Sequence, residues 1–190
     1  APPLKLHYVP AHGRFGAVCI HYQGNTSPGR KNLAHWQAQA IIAVVLQAGR
    51  VPVVMDWDGR SPLPDGKKVF CPGVGHGDLW GNFGSGDAEA LAALIGQCEG
   101  FVGVDSGPGK VASSTDTPAL IVWSGHHPIQ FHDPAPNTVH LVPQAHRDMA
   151  PVDGDAEMAR YFEEHYRFLT YPGGAQGLVQ GARRWLADLL

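Results

Sequence analysis

The sequence predicts an α/β domain, built on a mostly parallel sheet of about six strands with helices on both faces. Three observations carry that expectation. Short β-branched or apolar runs alternate with stretches of helical period, the pattern that builds parallel sheets. Hydrophobic residues make up 44% of the 190, enough for a sizeable core. The 24 glycines and 16 prolines, about a fifth of the chain, call for frequent turns yet fall short of the roughly 25–30% that marks low-complexity disorder.

Ala17–Tyr22 (AVCIHY) reads as the first strand. After the polar loop Gln23–Asn32, the segment Leu33–Ala48 places Leu33, Trp36, Ala40, Ile41, Val44 and Val45 at three- and four-residue spacing, an amphipathic helix that Gly49 can close. Val51–Met55 is a second strand and Lys68–Cys71 a short third one. Pro72–Gly86 is a glycine-rich loop. Asp87–Cys98 is a helix with Asp87 and Glu89 at its positive end. Phe101–Val104 is a strand, Gly107–Ser114 a short helix, Pro118–Trp123 another strand, and Val139–Val142 a last edge strand. Two helices, Ala156–Leu169 and Leu178–Leu190, close the chain around the turn TYPGGAQG. The doubly wound rule then gives the order 3-2-1-4-5-6. The whole is one Rossmann-like domain over residues 1–150, with the C-terminal helices of 151–190 packed on it.

Composition excludes several function classes. Net charge is −3 with no Lys/Arg block, so no footprint for nucleic acid or an anionic membrane appears. The longest apolar run, Ala40–Leu46, is far below the roughly 20 residues of a membrane helix. The N-terminal APPLKLHYVP lacks the apolar core of a signal peptide. Three widely spaced cysteines, Cys19, Cys71 and Cys98, form no CxxC pair and point to a reducing, cytoplasmic setting rather than a disulfide framework.

In a doubly wound sheet, ligands bind at the carboxyl ends of the strands. Two loops at that edge are built for an anion. The first, His21–Asn32, combines Thr26 and Ser27 hydroxyls, flexible Gly24 and Gly29, and the cations Arg30 and Lys31 ahead of a helix. An ordinary polar loop whose Ser and Thr only cap the helix is the plainer alternative. The second, Val102–Lys110, turns through Asp105, Ser106 and Gly107 into a helix that Pro108 suits, with Lys110 adding charge. A capped helix start without a ligand is its plainer alternative. Asp105 is better suited to orienting the loop or accepting a ligand hydroxyl than to touching phosphate. Neither loop is a Walker A or GxGxxG sequence.

In this order and separation, the two loops resemble the C-terminal, donor-binding domain of glycosyltransferase family 9, the ADP-heptose:lipopolysaccharide heptosyltransferases and their relatives. The matching stretches are VCIHYQGNTSPGRKNLAHW, VPVVMD and DLWGNFGSGDAEALAALIGQCEGFVGVDSGPGKVASSTDTPALIVWSG, followed by HPIQFHDPAPNTVHLV; the most specific piece runs from Leu91 to Trp123. The resemblance implies half of a two-domain GT-B enzyme that binds a nucleotide-diphosphate sugar. It implies phosphate contacts from Asn25, Thr26, Ser27 and Lys31, beside Arg30, and a diphosphate-gripping turn at Asp105, Ser106 and Gly107, beside Lys110. Met55 and Asp56 fall where the family approaches the base or ribose, and Leu79 and Trp80 near the base pocket. Transfer would be inverting, without a metal or other cofactor, to a glycan or lipopolysaccharide-type acceptor.

Three departures accompany the match. Gly109 and Lys110 stand where the family usually has an apolar residue and then His. The loop from Asp56 to Gly77 lacks the family's glycine-rich acidic signature. The acceptor domain, which carries the family's general-base carboxylate, has no counterpart in the matching segments, so the catalytic residues stay unassigned. A non-enzymatic nucleotide- or phosphate-binding module, or a subunit needing a separate acceptor domain, are the competing expectations; a homodimer through Leu178, Trp185, Leu186 and Leu189 is another.

The remaining candidates read as structural. Among the 11 histidines, the group His126, His127, His132, His140 and His146 matches no metal-ligand spacing and is expected on the surface or in loops, with His126 able to face the donor at the binding edge. Trp36 and Trp123 fit the core, whereas Trp57 and Trp80 lie in loops. Asp56-Trp-Asp58 is the nearest approach to a DxD metal motif, on the base side. Ser106 lacks a GxSxG context, and Cys98 lies on a helix packing face.

Overall fold

The computed structural model describes residues 15–24, 28–55, 88–124, 127–147 and 156–190. β1 (Phe15–His21) leads through the short helix α1 (Pro28–Lys31) and α2 (His35–Gln47) to β2 (Val51–Val54). Then come α3 (Ala88–Gln97), β3 (Cys98–Val104), α4 (Gly107–Ser113) and β4 (Ala119–Val122). A single 3-10 turn, Pro128–Gln130, precedes β5 (Thr138–Pro143) and α5 (Gln144–Arg147). The chain ends with α6 (Ala156–His165), β6 (Arg167–Tyr171) and α7 (Ala175–Leu189).

Among the described residues the six strands form one all-parallel sheet in the order β2-β1-β3-β4-β5-β6. Ile20 pairs with Val54 on one side and Val102 on the other, and Val102 with Leu120. β4 is buried along its whole length, as a strand covered on both faces must be, which explains its unbroken apolar run ALIV. Alternate residues feed two cores. Val18, Ile20, Val102 and Leu120 pack with Ile41, Ile42 and Val45 of α2 and Leu178, Ala182 and Leu186 of α7. Cys19, Phe101 and Ile121 pack on the other face with Leu91, Ala92 and Ile95 of α3 and Val111 and Ala112 of α4.

Close approach, not propensity, selects the glycines of α7. A Cβ at Gly181 would lie 2.7 Å from Leu141 Cδ1, and one at Gly177 only 2.1 Å from the Pro172 carbonyl oxygen. A side chain at Gly177 would have to displace backbone, and one at Gly181 the Leu141 side chain. The last helix folds onto its own sheet, so its apolar face has a partner without a second copy of the chain.

Several expectations need correction. Val139–Val142 is not the edge: β6 pairs with β5 from Val139↔Arg167 to Pro143↔Tyr171 and takes that position. The helix expected over Ala156–Leu169 therefore stops at His165. Tyr166–Tyr171 is rich in aromatic and β-branched residues, and pairing with an open strand edge outweighs the helical period that Leu169 continues. The last helix starts at Ala175 rather than Leu178. Trp36 is 44% exposed at the start of α2, because the buried stripe of that helix runs through Gln37, Ala38, Ile41, Ile42 and Val45. Trp123 is buried, as expected. His21, His132 and His140 are also buried, His132 in a loop but away from the surface, and His140 within β5. The neighbour relations otherwise follow the expected order, and its third strand, Lys68–Cys71, lies outside the described residues.

Candidate functional site

β1 and β3 are neighbours, but the chain leaves β1 toward one sheet edge and β3 toward the other. Their carboxyl ends, His21 and Val104, thus mark the switch point where a doubly wound sheet opens a crevice. After β1 the loop is closed at its base by Leu33 N–H donating to the Tyr22 carbonyl (3.0 Å) and by Gly24 N–H donating to Asn32 Oδ1 (2.7 Å). A Cβ on Gly24 would lie 3.7 Å from Ser106 Cβ and 3.8 Å from the Asp105 carbonyl oxygen, so the two loops are in contact.

Lys31 joins them. Its Nζ donates to Asp105 Oδ2 at 2.6 Å, with the side chains 14% and 6% exposed. The ammonium also lies 5.4 Å from the centroid of the Phe131 ring, which follows the 3-10 turn after β4. Ser124 Oγ donates to the Arg30 carbonyl oxygen, tying the end of β4 to the same short helix. Lys31 thus bridges the loops after β1 and β3, and the short helix that carries it is tied to the segment after β4.

Ser106 occupies the N-cap position of α4 without capping it. Its hydroxyl lies 3.0 Å from His21 Nδ1 and donates to the Val104 carbonyl (3.0 Å), both directed into the sheet. Burial pushes His21 down to about 3, so the ring is neutral near pH 7. Gly107 is exposed with open space above it, and Lys110 is exposed on the same short helix.

Behind Asp105 lies an aromatic and histidine cluster. His132 Nε2 is 3.7 Å from Asp105 Oδ1. Trp123 Nε1 donates to His140 Nδ1 (3.1 Å), Tyr166 Oη to the His132 carbonyl (2.6 Å), and Tyr171 Oη to the Trp123 carbonyl (3.0 Å). Burial lowers His132 to about 4, against the opposing pull of Asp105, and His140 to about 3. Among the described residues, no group of three or more His, Cys, Asp or Glu is placed to hold a metal ion. Cys19 and Cys98 are free and buried; desolvation raises both thiols, Cys98 to about 12, which denies them the thiolate form a nucleophile needs.

Of the expected site residues, Arg30, Lys31, Asp105, Ser106, Gly107 and Lys110 gather on the two adjoining loops and the helix starts beside them. Met55 lies at the end of β2 with its side chain in the core beside α3, its N–H donating to the Ile20 carbonyl (2.9 Å). Asn25, Thr26, Ser27, Asp56, Leu79, Trp80 and His126 lie outside the described residues. Sequence reasoning missed His21, Phe131 and His132. The position of His21 at the last residue of a switch-point strand was a usable signal, whereas nothing in the spacing of His132 connects it with Asp105.

Residues 84–156 match the model of glycosyltransferase family 9 (heptosyltransferase). Among solved structures, the chain is similar to the E. coli heptosyltransferase WaaC, solved with ADP, at 12% identity and a TM-score of 0.57, over 95% of this chain and 46% of that one. A family 9 glycosyl transferase from Veillonella parvula DSM 2008 is 13% identical with a TM-score of 0.53, covering 93% and 44% of the two chains. The dodecameric iron-containing heptosyltransferase TibC, in complex with ADP-D-beta-D-heptose, is 17% identical with a TM-score of 0.51, covering 97% and 50%. At these identities the likeness is one of fold, and the chain spans half or less of each solved relative. No curated protein matches the sequence. Among the described residues, no helix is long and apolar enough to cross a membrane.

Proposed function

We propose, taking as premise that the chain is a glycosyltransferase family 9 relative through residues 84–156, that it is the donor-binding half of a heptosyltransferase-like GT-B enzyme and holds a nucleotide-diphosphate sugar at the switch point. The observation that carries this reading is the Lys31–Asp105 ion pair, which draws the two anion-suited loops together at adjacent strand ends. That two of the similar solved structures carry ADP or ADP-D-beta-D-heptose supports a purine donor here.

An ammonium has three donors, of which Asp105 takes one on Lys31, so diphosphate oxygens can compete with Asp105 for this cation. As the bond to the sugar breaks, negative charge grows on the diphosphate. Fixed cations stabilise it without having to reorganise, and Arg30, Lys31 and Lys110 are the ones available. This favours metal-independent transfer, and inversion is proposed from the family resemblance alone. Asn25, Thr26 and Ser27 would add phosphate contacts, and Asp56 and Trp80 would lie toward the base, next to Met55, whose own side chain is turned into the core. The acceptor, a glycan of lipopolysaccharide type, would be deprotonated by a carboxylate from outside the matching half; a span of half or less of the solved relatives favours that division of labour. The setting is the reducing cytoplasm.

Calorimetric titration with ADP-, UDP- and GDP-sugars tests the reading. Binding of at least one, with the ADP-sugar preferred, is expected. No binding of any at about millimolar concentration, the weakest affinity worth about 4 kcal/mol, overturns it.

A further inference from the structure

Asp105 faces two basic side chains, one on each oxygen. Lys31 Nζ is at 2.6 Å from Oδ2 and His132 Nε2 at 3.7 Å from Oδ1. The carboxylate is 6% exposed and the His132 side chain 1%, so water offers neither much relief. His132 Nε2 has no hydrogen-bond partner among the described residues. A buried polar atom left unpaired calls for an explanation, and an occasional partner is one.

Ligand binding would supply the occasion. The charged groups around His132 are Lys31 from α1, Lys110 from α4, Asp105 from the loop after β3, and Asp133 beside it in the chain. His140 of β5 lies 5.6 Å away ring to ring, and Tyr166, just before β6, donates its hydroxyl to the His132 carbonyl. Two cations therefore balance two carboxylates, and the ring stays neutral because burial decides. An anionic diphosphate that engages Lys31 and Lys110 removes the cationic half of that balance. Asp105 would then be a buried carboxylate with its lysine drawn off, a costly state unless another cation replaces it.

We propose that His132 is a positioning residue that takes over Asp105 when a diphosphate draws Lys31 away, so that donor binding is linked to uptake of one proton. The proton comes from solvent and converts the imidazole to imidazolium, whose Nε2–H faces Asp105 Oδ1. Asp105 thereby keeps its place, and with it the loop that carries Ser106 and Gly107. The inference rests on the donor-site reading above.

The test is calorimetric titration of the whole chain with ADP-glucose, whose diphosphate is a diester and does not itself titrate near neutral pH. Titrations at about pH 6.5 in MES and in imidazole, buffers of different ionisation enthalpy, count the protons exchanged. Net uptake is expected in the wild type, with affinity rising as pH falls, by no more than about tenfold per unit, the limit for one linked proton. His132→Gln should bind without uptake and with a flat pH profile. Asp105→Asn, close to isosteric, should also abolish uptake by removing the charge that calls for the proton, and it serves where His132→Gln does not fold. Binding without uptake in the wild type, or uptake retained in either variant, overturns the exchange while leaving the donor site standing. No binding of ADP-glucose or of any other nucleotide sugar removes the donor-site reading and this exchange with it.

Discussion

Lys31 and Asp105, 74 positions apart in the chain, meet at 2.6 Å across the carboxyl ends of β1 and β3. Both side chains are largely withdrawn from water, so the contact is more than a surface ion pair. It orients an ammonium that also lies 5.4 Å from the centroid of the Phe131 ring.

Removing one member of such a pair should cost more than removing both. Lys31→Met leaves Asp105 buried with only His132, at 3.7 Å, to answer its charge, so measured above the histidine range, where that ring is neutral, the expected loss in unfolding free energy is about 3–5 kcal/mol. The double variant Lys31→Met/Asp105→Leu should recover much of that loss. A thermodynamic cycle from urea unfolding reads the coupling, and simple additivity of the two changes would show that the pair is not energetically joined.

The pair was legible in the sequence as two loops, not as a contact. Strand ends followed by Gly, Ser, Asp and Lys announce a binding edge, and buried strands such as ALIV announce themselves by unbroken apolarity. β6 was not legible, because Arg167–Tyr171 follows directly on a helix whose period Leu169 continues, and only an open neighbour at β5 decides between them. His132 was not legible either. It lies in a connection between strands, and its importance comes from which carboxylate the fold sets 3.7 Å away.

Acid should destabilise the protein well above the carboxylate range. Burial lowers His21 and His140 to about 3 and His132 to about 4 from an ordinary 6.5. The unfolded chain then binds protons that the folded chain refuses. Stability is full above pH 6.5 and falls as pH drops through the window from 6.5 to about 3, by up to about 2 kcal/mol per histidine by pH 5. Urea midpoints measured across that range should fall steeply. His140→Phe should flatten the profile, and a midpoint that holds steady down to about pH 4.5 would contradict the buried neutral rings.

The close contacts of α7 make a separate prediction. Gly177→Ala sets a methyl against the Pro172 carbonyl, and Gly181→Ala sets one against Leu141. Each should cost about 1–3 kcal/mol by overpacking, more at Gly177 because backbone rather than a side chain must move. Thermal denaturation of the two variants checks both the size and the order.

Cys19 and Cys98 should resist thiol reagents. Both are buried and their thiols are raised, so modification in native buffer should be slow and should become fast only when urea opens the domain. Mass spectrometry after alkylation locates the label. Prompt labelling of Cys19 in the native protein would contradict the packing of β1.

The central claim is that Lys31 holds a donor diphosphate at the switch point. Its most direct measurement is the affinity for ADP-glucose of the wild type and of Lys31→Ala, determined by calorimetry on protein whose fold is verified by circular dichroism. The expected result is a loss of about 1.5–3 kcal/mol, the worth of a charge-assisted hydrogen bond, which is about ten- to 150-fold in Kd. A folded Lys31→Ala protein that binds ADP-glucose as tightly as the wild type would contradict the account.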